Sequence, residues 1–331
     1  MMKRMIMLGL PVILIMVLIV LFVYFMPNIK MSFSAGKHTV DAIDLSTHGD
    51  RIYFLNTGSA DAILIESEGK YALVDGAEDS DNPRNFPELI YDGTEDYVVD
   101  AIRKIAGDEN GKVVLEFILG THSHSDHIGG LDTVILDDNI TVKTAYIEKY
   151  DESKINSHEI TAWDNKEVYE QMISACEKRN VPVIHDISEE TFSFGNFTMK
   201  FCNTAETQST EPIGENENAI GLLVEKNGVR AFLAADINNL DGDEDRLAKE
   251  IGKINLLKVG HHGSKSSSAS DFLEATGATY GVICVGTGNS YGHPTDAALG
   301  RLDDAGITVY RTDTYGDVVF YTDGVTLSVP D

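Results

Sequence analysis

Cysteine is scarce in this 331-residue chain, with only Cys176, Cys202 and Cys284 present. So small and odd a number excludes a disulfide framework, and the apolar stretches around Cys202 and Cys284 suit buried small hydrophobes. Positive charge is scarce too: lysine and arginine number 26 against 53 aspartates and glutamates, a formal net of −27. The first 36 residues hold three of the basic groups and no acid, so the remainder carries 23 against 53, or −30. A surface this acidic is unsuited to holding a polyanion without sequence preference. No serine nucleophile elbow occurs, and Gly286-Thr287-Gly288 lacks the spacing and following helix of a dinucleotide fingerprint. Internal repeats and low-complexity tracts are also missing. What remains is a chain 43% hydrophobic and 24% charged, able to build a core for one large domain or two small ones.

Its longest apolar run lies at the start. Met5 to Met26 is 22 residues without a charge, and at about 1.5 Å per residue a helix of that length spans the roughly 30 Å of a bilayer's hydrocarbon core. Lys3 and Arg4 precede the run, which places the N-terminus in the cytoplasm and everything after Met26 outside. The rival reading is a cleaved signal peptide, whose apolar core is shorter, and Phe33-Ser34-Ala35 is a weak cleavage site. The expected organisation is a transmembrane anchor over 1–27, a linker over 28–50 and a hydrolytic domain over 51–331.

From Arg51 onward short apolar runs read as strands, among them Arg51–Leu55, Ala62–Glu66, Lys70–Val74, Val113–Leu119, Val229–Ala234, Ile254–Val259 and Val282–Val285. Helices are expected at Tyr97–Ala106, Trp163–Arg179, Ser270–Ala275 and Asp296–Ala305. Asn227-Gly228 and Asp323-Gly324 are hairpin turn signals. Strands in two blocks with helices interspersed predict an α+β fold of two mixed sheets packed face to face, helices outside.

The densest chemistry is Thr121-His122-Ser123-His124-Ser125-Asp126-His127-Ile128-Gly129-Gly130, directly after a buried strand. Imidazole nitrogens suit zinc and related divalent ions, and a carboxylate adds a hard anionic ligand. His122 and His124, two apart in extended chain, point the same way, and Asp126 and His127 reach a neighbouring position as the chain turns. Gly129 and Gly130 let the backbone bend behind them.

His-x-His-x-Asp-His followed by Gly-Gly resembles the signature of the metallo-β-lactamase superfamily. Within it, Asn56-Thr57-Gly58-Ser59-Ala60-Asp61-Ala62, Leu256 to Ser264, Gly288-Asn289-Ser290-Tyr291-Gly292-His293-Pro294 and Tyr310-Arg311-Thr312-Asp313 are similar to the metallo-hydrolase domain of ComEC-type DNA-uptake proteins, in the same order over most of Arg51 to Tyr321. The resemblance implies an αββα sandwich. It implies that Asp75 braces the metal loop, that Asp236 bridges the metals and that His261 is the last histidine ligand, with His262 as the alternative ligand or a proton donor. Two departures stand out. The DNA-uptake proteins carry a many-helix channel, whereas this chain has one spanning segment. A histidine found in many members is missing between the first cluster and Asp236, and Asn218 takes its place. An amide oxygen is a weaker ligand for zinc and a better one for harder ions, so the implied cofactors are two divalent ions, zinc or manganese.

On that resemblance one metal takes His122, His124 and Asp236, with Asn218 or water completing it. The other takes Asp126, His127, Asp236 and His261. Two such ions share and ionise a water, with Asp126 orienting it. His293 either contacts a substrate oxygen, protonates the leaving group or is a structural turn residue. Ser264, Lys265 and Ser266 suit a phosphate, though serine-rich loops before helices are ordinary. Asp61 supports the neighbouring loops. The expected function is a membrane-anchored, extracytoplasmic metallo-hydrolase cleaving a phosphodiester, nucleic acid being a possible partner that the acidic charge opposes. Residues 251–313 hold five basic and six acidic groups, nearly balanced. The alternative is hydrolysis of a carboxylic ester, lactone or β-lactam by the same metals, and a tethered binding module with a vestigial site is the non-catalytic reading.

Overall fold

A computed structural model describes residues 49–80, 93–209 and 211–329. The expected membrane anchor and all but the last two residues of the expected linker lie outside the described residues. Among the described residues no helix is long and apolar enough to cross a membrane. Asp50, at the end of that linker, is already part of the folded domain: it is buried, accepts a hydrogen bond from Ser67 Oγ at 2.5 Å and pairs with Lys226.

Two mixed sheets form the centre of the domain. The first has nine strands among the described residues. Its middle is β1 (Arg51–Phe54), β2 (Ile63–Ser67), β3 (Lys70–Val74) and β4 (Val113–Leu119); β1 and β2 pair antiparallel, as do β2 and β3, and β3 runs parallel to β4. The first sheet also holds β5 (Ile140–Val142), β6 (Ala145–Tyr146) and β7 (Val183–Ile184); the second has seven strands among the described residues and begins with β8 (Phe192–Phe194) and β9 (Phe197–Cys202). There β10 (Gly221–Lys226) pairs antiparallel with β11 (Val229–Leu233), and β11, β12 (Leu256–Lys258) and β13 (Tyr280–Ile283) run parallel.

The strands are apolar on both faces because both are covered. Side chains alternate along a strand: Ile52, Phe54, Ile63, Ile65, Val74, Phe117 and Leu119 face the second sheet and meet Phe201, Leu222, Val224, Leu233, Leu256 and Val282. Their neighbours Tyr53, Leu55, Leu64, Leu73 and Leu115 face outward onto helices α1 (Glu95–Ala106), α3 (Leu131–Leu136) and α5 (Asn165–Arg179), packing with Val98, Ile102, Leu131, Val134 and Met172. On the far side Leu223, Phe232, Leu257 and Ile283 meet Leu247, Ile251, Phe272 and Leu302 of α6 (Asp243–Ile251), α7 (Ser270–Thr276) and α8 (Asp296–Asp304). The result is four layers, helix–sheet–sheet–helix. Two short helices complete what the site needs, α2 (Ser125–Ile128) and α4 (Ser157–Ala162). Because β3 and β4 are parallel in one sheet and β11 to β13 in the other, their C-terminal ends deliver several loops to one edge of the sandwich, the usual place for a site in such sheets.

Candidate metal centre

Asp75 ends β3 with φ 58°. This left-handed backbone is uncommon for a residue with a Cβ and is kept where the surroundings require it. Its buried carboxylate accepts from Thr121 N at 2.8 Å and Thr121 Oγ1 at 2.9 Å, and from His127 Nδ1 at 2.7 Å. One side chain thereby holds both ends of the loop from β4 to α2.

The hydrogen bonds around the histidines place an N–H on the far side of each ring and leave its other nitrogen turned toward the cluster. A carboxylate or carbonyl only accepts, so His127 donates through Nδ1 to Asp75, and His262 through Nδ1 to Cys284 O at 2.8 Å. Likewise His124 donates through Nε2 to Glu159 Oε1 at 2.8 Å. Thr121 Oγ1 gives its only proton to Asp75 and so accepts from His122 Nδ1 at 3.0 Å. The four remaining nitrogens converge. His122 Nε2 is 3.0 Å from His124 Nδ1. His127 Nε2 is 3.1 Å and His262 Nε2 3.5 Å from Asp236 Oδ1, and His262 Nε2 is 3.3 Å from Asp126 Oδ2.

His127 Nε2, His262 Nε2 and Asp236 Oδ1 are buried and make no hydrogen bond among the described residues. Buried polar atoms are ordinarily satisfied. Imidazole nitrogens and carboxylate oxygens turned toward one another across a few ångströms, each imidazole braced on its far side, fit divalent ions once those nitrogens are deprotonated. His122, His124 and Asp236 form one group able to hold such an ion, and Asp126, His127 and His262 another.

Electrostatics agree with that reading. Burial pushes Asp126 upward, but His127 and His262 outweigh it and hold the carboxyl at about 2. Burial likewise opposes ionisation of Asp236, yet His262, His127 and His261 keep it well below the usual carboxylate range. Burial holds His122 well below the ordinary imidazole value, and His261 at about 4. Beneath the cluster Lys258, fully buried, lies 2.5 Å from Asp61 Oδ2 and 3.7 Å from Asp236 Oδ1 and donates to Ala235 O at 2.9 Å.

The residues singled out in the sequence fall into three groups. His122, His124, Asp126, His127 and Asp236 come together, with Asp75 and Asp61 behind them. His261 stands at the rim: its Nε2 is 3.6 Å from Asp236 Oδ2, while His262 takes the place beside Asp126 and His127. Both histidines have positive φ, 46° and 50°, which swings the second into the buried cluster. His293 packs edge-on to His261 with ring centroids 5.3 Å apart. Asn218 turns its amide to Glu215 Oε2 at 3.1 Å; Asn216, two residues earlier, lies 3.4 Å from His261 Nδ1 and keeps a buried, unpartnered Oδ1. The third group is the loop after His262. Ser264 and Ser266 bond to each other at 3.0 Å and Lys265 is exposed, its carbonyl accepting from Arg301. Sequence reasoning missed Glu159, which reaches His124 from α4, and Lys258. The lysine is the one charged residue in the β12 run, a signal available in the pattern.

Residues 99–263 match the β-lactamase superfamily domain. The chain is similar to the competence protein ComA of Neisseria gonorrhoeae, 30% identical over 135 residues that cover 40% of this chain and 19% of that protein. It is also similar to ComE operon protein 3 of Bacillus subtilis (strain 168), 26% identical over 206 residues, 62% of this chain and 24% of that one. The matches thus span a quarter or less of these longer relatives. Among solved structures, the metallo-β-lactamase fold protein YhfI from Bacillus subtilis aligns with 82% of this chain and 99% of its own, at 12% identity and a TM-score of 0.49.

Proposed function

We propose that this chain, whose residues 99–263 match the β-lactamase superfamily domain, is a membrane-anchored hydrolase of phosphodiesters acting outside the cytoplasm. The observation that carries the hydrolytic reading is the convergence of four imidazole nitrogens, each ring braced on its far side, with Asp126 and Asp236. His122, His124 and Asp236 would hold one divalent ion, and Asp126, His127 and His262 a second, with Asp236 between them. Such ions supply ionisation of water near neutral pH and neutralise charge on the phosphoryl oxygens.

The chain's own groups divide the remaining work. Asp126 stays ionised down to a pH of about 2 and is half-exposed, so it accepts a hydrogen bond from water at the opening. His261 titrates at about 4, and burial together with His262 lowers His293. Both are neutral near pH 7, a state that suits hydrogen bonding to substrate oxygens better than protonating a leaving group. Exposed Lys265, three residues after His262, supplies a cation for an approaching anion. Similarity to two competence proteins favours a nucleic-acid-type diester, and the net charge of −27 favours a small one. The uncharged run Met5–Met26 supports the anchor.

The test is turnover by the full-length protein with zinc or manganese added back. Hydrolysis of bis(p-nitrophenyl) phosphate, without turnover of nitrocefin or a lactone, is expected. The reverse pattern would replace the phosphodiester with an acyl substrate.

A further inference from the structure

The corner that turns His262 into the cluster is strained. His261, His262 and Gly263 have φ of 46°, 50° and 83° in succession, a left-handed path that residues with a Cβ keep only where their surroundings impose it. The bond from His262 Nδ1 to Cys284 O fixes the ring and not the backbone behind it. Backbone restraint comes from either side of the corner. His261 N donates to Ala235 O at 3.0 Å, and Gly263 O accepts from Thr295 N at 2.9 Å and Thr295 Oγ1 at 3.1 Å. The chain then enters the loop 264–269, where Ser264 N closes back onto His261 O at 2.8 Å.

That loop is gathered around one side chain. Arg301 of α8 donates through Nε to Ser268 O at 2.8 Å, and through Nη2 to Ser267 O at 2.6 Å and Lys265 O at 3.1 Å. The carbonyl left between them, Ser266 O, accepts from Asn239 N at 3.0 Å, just after Asp236. Capping α7 accounts for none of these bonds, since a helix N-terminus presents N–H groups and not carbonyls. The loop also packs against both segments that feed the cluster. Ser267 is fully buried beneath Gly260, where a Cβ would lie 3.1 Å from Ser267 Cβ and 2.5 Å from Ile237 O. Gly260 directly precedes His261, and Ile237 directly follows Asp236.

We propose that Arg301 is a positioning residue for His262: by drawing three carbonyls of the loop to one guanidinium, it holds the left-handed corner that keeps His262 Nε2 beside Asp126 and Asp236. A planar guanidinium offers such donors in fixed directions, which a lysine ammonium does not. The first readout of the test rests on the metal-centre reading, and the second does not. With full-length protein, chelator competition should show Arg301→Ala weakening zinc or manganese affinity about tenfold. Arg301→Lys, which keeps the charge without the fork, should weaken it about threefold, and decides the matter if the alanine variant does not fold. Arg179 is the matched control, donating to Ile135 O at 3.1 Å and Leu136 O at 2.6 Å at the end of α3; Arg179→Ala should keep affinity within about twofold. Unchanged affinity in both Arg301 variants, or an equal loss in Arg179→Ala, overturns the proposal. If the wild type binds neither ion, the metal-centre reading fails, and amide hydrogen exchange of the metal-free proteins decides. Arg301→Ala, or Arg301→Lys in its place, should speed exchange at the His261 and Ser264 amides as well as at Ser267 to Ala269. Acceleration confined to 267–269, or none, would overturn the assignment.

Discussion

His262 Nε2 stands 3.3 Å from Asp126 Oδ2, which puts the second histidine of the His261-His262 pair, not the first, in the buried cluster. The two neighbours should therefore differ as variants. His262→Ala is expected to lower kcat/KM by at least about 100-fold and to reduce bound metal, and His261→Ala to lower it by about tenfold with metal retained. Steady-state kinetics with elemental analysis checks this; metal loss confined to His261→Ala would reverse the assignment.

Glu159 lies behind His124, 2.8 Å from its Nε2, and also accepts from Asn165 Nδ2 and Glu215 N. Removing its charge leaves the imidazole less basic and its orientation less defined. Glu159→Gln should weaken divalent-ion affinity by about 10- to 100-fold with little change in Tm. Chelator competition measures the first and a thermal melt the second, and unaltered affinity would make Glu159 a packing residue only.

Lys258 and Asp61 form an ion pair in which both side chains are fully buried. Removing one partner leaves the other charge buried without compensation. Lys258→Met should destabilise the metal-free protein by about 3–5 kcal/mol, read from denaturant unfolding, with a smaller loss in Lys258→Met/Asp61→Leu. A single variant as stable as the wild type would show that the pair contributes nothing net.

Metal binding and pH should be coupled with a definite sign. In the metal-free protein burial disfavours charge on His127, but Asp236, Asp75 and Asp126 overcome it and raise the imidazole well above its ordinary 6.5. His262 is raised against the same opposition by Asp236 and Asp126, and His124 by Glu159. For these groups the stabilising protonation is fully present below 6.5 and is lost as pH rises through the raised values. An ion must displace those protons. Above pH 6.5, metal affinity is expected to rise with pH while stability of the metal-free protein falls. Calorimetry in buffers of different ionisation enthalpy, with melts of the chelated protein, reads both; proton uptake on metal binding would contradict the scheme.

Much of this was legible in the sequence because its causes are local. Strands covered on both faces read as continuous apolar runs, as at residues 71–74 of β3, and the ligand cluster follows β4 directly. Other features depend on geometry that residue order does not express. His262 displaces His261 because both take left-handed backbone, which no alternation rule anticipates. Asn216, not Asn218, faces His261 because Glu215–Asn218 is a 3-10 turn. Glu159 arrives from a helix 35 residues beyond His124, with no spacing to announce it. Helix α6 has only Leu247 and Ile251 as large buried apolar residues amid charge, so patterning does not single it out.

The most direct measurement is the metal content of purified full-length protein beside its Asp236→Ala variant. The variant removes the carboxylate within 3.5 Å of His127 and His262 and grouped with His122 and His124. The account predicts zinc or manganese in the wild type, with both its metal and its diester turnover lost in the variant. Turnover by metal-free wild type, or equal metal content in the two proteins, would contradict it.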